Sequence, residues 1–364
     1  MSLEFPKPLM NALAHANGPL SCRGVYKQTA DDFLVEEQIA FGLSGEGEHL
    51  WCWVEKTGEN TDWVMHQLAK WANVATSRIG VAGQKDRHAV TRQWFSIQLP
   101  GKQDPNPDDL ALETVKILKM VRHQRKLQTG GLKGNRFELI IRDIEGDCNS
   151  LEQRLETIKT QGIPNYFGAQ RFGRHGNNLP KATDFFSGAL TRVKRHQKSM
   201  YISAARSWMF NLILSERIKQ GTWNQFIAGD VMQLEGSLKW FAEDDSEALS
   251  KRVKQGDLHP TGALIGRGEL PSKLQVLALE KQVLTPFSDW VSGLETLGLK
   301  QDRRALRVLP QDLVWQWLPD NDAMTHKQKI LKVCFYLPAG SYATMVLRAF
   351  MDVSEAARNE CVLS

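Results

Sequence analysis

The sequence predicts a protein of mixed helix and sheet, α/β or α+β, in which a sheet domain is interrupted by a second domain. Three observations carry this. Strand-like and helix-like stretches alternate through the first third of the chain, the middle loses that rhythm, and a strand–turn–helix pattern returns near the end. A length of 364 residues fits about two domains at roughly 150 residues each.

Residues 48–55 (EHLWCWVE) are dense in aromatic and branched side chains and read as a largely buried strand. Thr61 is placed to cap a helix whose inner face carries Val64, Leu68 and Trp71. In 93–99, Phe95, Ile97 and Leu99 alternate with Trp94, Ser96 and Gln98, the pattern of a half-buried strand ended by Pro100-Gly101. Phe137, Leu139 and Ile141 mark another strand. Ser150 and Gln153 form a capping box for a helix bearing Leu151, Leu155 and Ile158, which Gly162 closes. Ile202, Ala205, Met209, Leu212 and Ile213 give a long helix over about 200–219. From Gly221 to about Pro271 the text is rich in glycine and charge, with weaker periodicity. Val333, Phe335 and Leu337 then alternate in a strand, residues 338–341 turn, and Ala343, Val346, Leu347 and Phe350 continue as a helix.

The composition (42% hydrophobic, 24% charged) excludes disorder and fibre, and a net charge of +5 permits an anionic partner without demanding one. Five widely spaced cysteines (Cys22, Cys52, Cys148, Cys334, Cys361) with no Cys-x-x-Cys pair argue against disulfides and zinc and for a reducing compartment. The histidines show no ligand spacing, so no metal is expected. Met1 to Pro6 has no secretory pattern and no apolar run reaches the ~20 residues of a membrane span. A cytoplasmic protein is expected, with a monomer as the plainer reading because no long heptad pattern is visible.

The stretch 83–93 (GQKDRHAVTRQ) holds Asp86 between Lys85 and Arg87, in a glycine-opened loop feeding a strand. Those cations should favour the charged carboxylate, which suits nucleophilic or electrostatic work; a surface ion pair is the plainer alternative. A second group is basic residues mixed with aromatics: Arg122, Arg125, Lys126, Lys133 and Arg136, then Tyr166, Phe167, Arg171, Phe172 and Arg174, then Arg192, Lys194, Arg195 and Lys198. Cations neutralise phosphates and exposed rings stack on bases, so the mixture suits RNA, unless Phe167 and Phe172 belong to the core. No phosphate-binding or dinucleotide glycine motif is present, so no nucleotide cofactor is expected.

The Asp86 segment closely resembles the signature of the TruD family of tRNA pseudouridine synthases. Residues 31–36 (DDFLVE), 130–137 (GGLKGNRF), 163–173 (IPNYFGAQRFG) and 337–342 (LPAGSY) resemble further blocks of that family in its order. The resemblance spans about residues 20–350. It implies an α+β pseudouridine synthase catalytic domain (1–160 and 311–364) with a central mixed, largely antiparallel sheet, interrupted by an inserted α/β TRUD domain (161–310). It implies isomerisation of uridine 13 of tRNA without a cofactor, with Asp86 as the catalytic aspartate. Phe33 would contact or stack on the flipped uracil, Asn135 and Phe137 would line its pocket, and Tyr342 would close it. Many relatives have Phe at that last position, so the Tyr342 hydroxyl must find a partner. Lys27 would sit near the site. Arg122, Arg125, Lys126, Lys133, Arg171 and Arg174 are the candidate contacts to tRNA. The competing reading is an RNA-binding or RNA-folding module on the same scaffold, in which an intact Asp86 has no evident use because a carboxylate repels phosphates.

Overall fold

The structure is a computed structural model that describes residues 3–242, 246–319 and 329–356. Cys361 and the first two residues lie outside the described residues. The chain divides into two compact units. One comprises residues 21–151, 310–340 and the segment from 351; the other comprises the first 20 residues, 152–309 and 341–350. The sequence assigned the first 20 residues and 341–350 to the sheet domain; both belong to the central unit instead. Within that unit the guanidinium of Arg348 donates to the main-chain oxygens of Met10, Leu13 and Ala14, and the Ala14 N–H donates to Ser215.

The first unit is built on a 10-stranded sheet. Its early strands are β1 (Cys22–Tyr26), β2 (Phe33–Ile39), β3 (His49–Thr57), β4 (Ile79–Val81), β5 (Val90–Gln98), β6 (Val115–His123) and β7 (Leu132–Gly146). Two later strands, Gln311–Leu318 and Ile330–Pro338, complete the row, which runs 311–318, 330–338, β7, β2, β5, β3, β6. Neighbours are antiparallel except β2 with β5 and β1 with the strand Asp352–Glu355. The sheet is therefore mixed and largely antiparallel, as the resemblance implies.

Hydrophobic alternation decides which face is covered. Leu50, Cys52 and Val54 of β3 and Phe95 and Ile97 of β5 pack against Val64, Leu68, Ala69 and Ala72 of or just after helix α1 (Thr61–Trp71). Strand β5 is covered on both faces, against expectation: Ser96 is fully buried and its hydroxyl accepts the Leu127 N–H. Burying that hydroxyl costs little because it is bonded.

Two helix starts also differ from the sequence reading. Asn60 takes the N-cap position of α1, while the Thr61 hydroxyl donates to Gln93 and accepts the Lys85 N–H. The helix Cys148–Gln161 begins before Ser150: the Asp147 carboxylate accepts the N–H groups of Asn149 and Ser150, and the Ser150 hydroxyl accepts from Ser21. In both cases a tertiary partner takes the hydroxyl that local pattern assigned to a cap.

The central unit contains a helix over Arg195–Lys219 that is buried on most of its circumference, and an antiparallel four-stranded sheet of 240–241, 232–234, 258–264 and 302–305. Residues 221–271 are thus more regular than their text suggests. Their strands are short and supply too few alternations to register as a period. Tyr166, Phe167 and Phe172 are buried here, so they belong to the core and are not exposed stacking faces. No helix among the described residues is long and apolar enough to cross a membrane.

Candidate active site

The topology brings the early aspartate-containing block and the Asp86 loop to one end of the sheet. Strands β2 and β5 are parallel neighbours with Leu34 opposite Val90, so Phe33 and the loop that precedes β5 share the entrance end of both strands. The turn before β2 is fixed by Asp32, fully buried, which accepts the Thr29 N–H and a bidentate pair from Arg142. Such a fork is a rigid support, since both partners lose their freedom in one geometry.

Lys27 follows β1 with φ of +57°, a left-handed conformation costly for a non-glycine residue. That turn sends its side chain inward. The side chain is 4% exposed, and its ammonium donates to Asp86 Oδ2, lies 4.3 Å from the centre of the Phe33 ring and sits 3.8 Å from Glu355. Asp86 Oδ1 accepts the His88 N–H at 2.9 Å. Burial pushes the Asp86 carboxyl up, but the Lys27 hydrogen bond and charge, with the His88 N–H and imidazole, outweigh it and hold the carboxyl below the usual range.

The ionised carboxylate thus arises differently from the sequence expectation. Lys85 turns away to pair with buried Glu37 at 2.7 Å, and Arg87 donates to the Gly58 carbonyl. The partners of the Asp86 carboxylate are a residue 59 positions upstream and a main-chain N–H.

Phe33 is 5% exposed and meets Phe137 edge to face at 6.3 Å; Phe137 stacks on Phe335 at 5.4 Å. Lys27, Phe33, Asp86 and Phe137 therefore form one contact chain. Asn135 is set apart: the β2–β7 register puts it opposite Glu37, four residues along β2 from Phe33. Its Oδ1 is buried without a hydrogen-bond partner. Nearby Gly134 meets a close approach of strands, where a Cβ would collide with the Leu337 carbonyl.

Tyr342 lies in the central unit. Its hydroxyl accepts from Arg171 Nε at 3.1 Å, and its ring meets Phe167 edge to face at 6.2 Å. Arg171 also donates to Ser203, so this cation is committed to its own unit. Arg122 is likewise committed, to Asp104 and to main-chain oxygens of Leu99 and Lys102, and Lys126 donates to the Ser77 carbonyl. Arg125, Lys133 and Arg174 are exposed.

Sequence reasoning missed the Lys85–Glu37 pair, the Arg142–Asp32 fork and Lys56. The last carried a readable signal. Leu50, Cys52, Val54 and Lys56 share one face of β3, so a charge stands where the alternation calls for an apolar residue.

The sequence model of the family described as "tRNA pseudouridine synthase D (TruD)" matches residues 11–179 and 177–350. The tRNA pseudouridine synthase D of Hydrogenovibrio crunogenus is 55% identical over 350 residues, covering 96% of this chain and 99% of that protein. That of Nitrosococcus oceani is 45% identical over 356 residues, covering 97% and 98%. A crystal structure from Methanosarcina mazei, described by the same family name, superposes with a TM-score of 0.73 at 22% identity, covering 96% of this chain and 98% of that one. The fold is shared. By the family match and the identity of its relatives, this chain belongs to the TruD family of tRNA pseudouridine synthases.

Proposed function

We propose that this chain isomerises uridine to pseudouridine at position 13 of tRNA, with Asp86 as the catalytic carboxylate acting on a flipped-out base. The observation that carries the reading is the depressed, Lys27-bonded carboxylate of Asp86, whose side chain keeps 24% exposure beside the buried Lys27 and Phe33. A carboxylate held ionised is a nucleophile or base and a poor acid.

The reaction must break the bond from N1 of uracil to the ribose, rotate the base and rejoin it through C5. It needs no redox change or phosphate transfer. The base has to leave its stack, at a few kcal/mol, and aromatic contacts offset part of that penalty. Phe33 and Phe137, both buried, are proposed to line the uracil pocket and meet the base as it enters, Asn135 is proposed to line the same pocket, and Lys27 keeps the carboxylate oriented. The sheet unit takes the catalytic role and the central unit the role of the inserted domain. The described cysteines are free thiols, which fits the cytoplasm.

The test is Asp86→Asn, with pseudouridine mapped in tRNA and tRNA binding measured alongside. Loss of pseudouridine with binding kept or slightly tightened is expected. A variant that still makes pseudouridine overturns the assignment. Wild-type protein that binds tRNA and makes none would favour the RNA-binding module.

A further inference from the structure

We propose that Lys56 is a positioning residue for this reaction, its buried ammonium clamping the main chain of the Asp86 loop onto the connection between β3 and α1. The inference rests on the reading of Asp86 as the catalytic carboxylate.

Lys56 is fully buried. An ammonium removed from water is costly unless its hydrogen bonds are replaced. Here they are replaced by carbonyls: Nζ donates to the Glu59 oxygen at 2.7 Å and to the Asp86 oxygen at 3.3 Å. One acceptor belongs to the β3–α1 connection and the other to the residue whose carboxylate faces Lys27. The two segments are also joined by Lys85 N–H to Thr61 Oγ, Gln84 to the Asp62 carboxylate, and Arg87 to the Gly58 carbonyl. Lys56 is the one charged side chain among these ties that is wholly buried, since Asp62 and Arg87 are exposed. An apolar residue at its place would satisfy the packing of the β3 face and leave the Asp86 carbonyl without this donor.

The charged groups that face Lys56 are Asp86, Lys85 and Glu59; burial, aided by Lys85, outweighs Asp86 and Glu59 and lowers its ammonium to about 8. The charge is therefore present at neutral pH and is lost as pH rises through about 8. A well-packed apolar residue there is often as stable or more so, so what the charge adds is its pair of carbonyl contacts.

The experiment compares wild type, Lys56→Met and Lys56→Arg in full-length protein, measuring kcat and KM for tRNA across pH, with thermal unfolding as the control. Lys56→Met should lower kcat by about 10²-fold with little change in KM, the size expected for a misplacement near 1 Å. Its acidic limb should move to higher pH, because an Asp86 displaced from Lys27 keeps the burial that raises its pKa and loses the bond that lowers it. Lys56→Arg should recover most of the loss. Unchanged kcat and acidic limb in a folded Lys56→Met variant would overturn the role of Lys56. Should both variants fail to fold, NMR on wild type decides: the Asp86 resonances should respond as the Lys56 ammonium titrates near pH 8, and an Asp86 signal indifferent to that step overturns the clamp. Asp86→Asn separates the layers, since its continued activity overturns the reading of Asp86 while its inactivity leaves Lys56 to be judged on its own variants.

Discussion

Lys27 donates its buried ammonium to the carboxylate of Asp86 across 59 residues of sequence, and the left-handed turn at Lys27 is what aims the side chain there. This pair is the electrostatic centre of the sheet unit. It holds below the usual range a carboxyl that burial alone would raise, and it stands against the ring of Phe33.

Removing one partner exposes the other to the cost of burial. Lys27→Met should reduce stability at pH 7 by roughly 2–4 kcal/mol, somewhat less than for a fully enclosed pair because Asp86 still meets solvent. The folded-state carboxyl lies below its ordinary value, about 3.9, so wild type gains stability above that value and loses it as pH falls through the folded one. The gap between wild type and variant should therefore be widest near neutrality and shrink in acid. Denaturant unfolding at a series of pH values checks this; a gap independent of pH would show that Lys27 acts by packing alone.

The basic residues divide into committed and available. Arg122 is tied to Asp104 and to main-chain oxygens, so Arg122→Ala should lower thermal stability more than it lowers tRNA affinity. Arg125, Lys133 and Arg174 are exposed, and their replacement by Ala should weaken tRNA binding and flatten its salt dependence. Each lost phosphate contact is worth a change of roughly 0.7–0.9 in the slope of log K against log salt. Binding titrations at several salt concentrations distinguish the groups, and an unchanged slope in the triple variant would remove these residues from the interface.

The hydroxyl that distinguishes Tyr342 from Phe has its partner in Arg171. Tyr342→Phe should cost about 0.5–1.5 kcal/mol, the usual worth of one hydrogen bond, because Arg171 keeps Ser203. Pseudouridine formation should survive within a small factor, since the ring face is retained. A large loss of turnover with unchanged unfolding would give the hydroxyl a part in the reaction.

Much of this protein was legible in one dimension. Alternation at Phe95, Ile97, Phe137, Leu139, Val333 and Phe335 marked strands that belong to the sheet. The break in rhythm through the middle marked a second unit, and the ordered motifs around Asp86 identified the family. These features are local, written in spacing and in short runs that one reading frame contains. What only the tertiary structure decided is which charges meet. Neighbouring Lys85 and Arg87 looked like the partners of Asp86, yet chain geometry turns them to Glu37 and Gly58 and delivers Lys27 and His88 in their place. The caps offered by Thr61 and Ser150 were taken by distant partners for the same reason. Hydrophobic period survives folding because each side of a strand is buried as a whole, whereas an ion pair depends on where two side chains arrive, and only the packed sheet sets that.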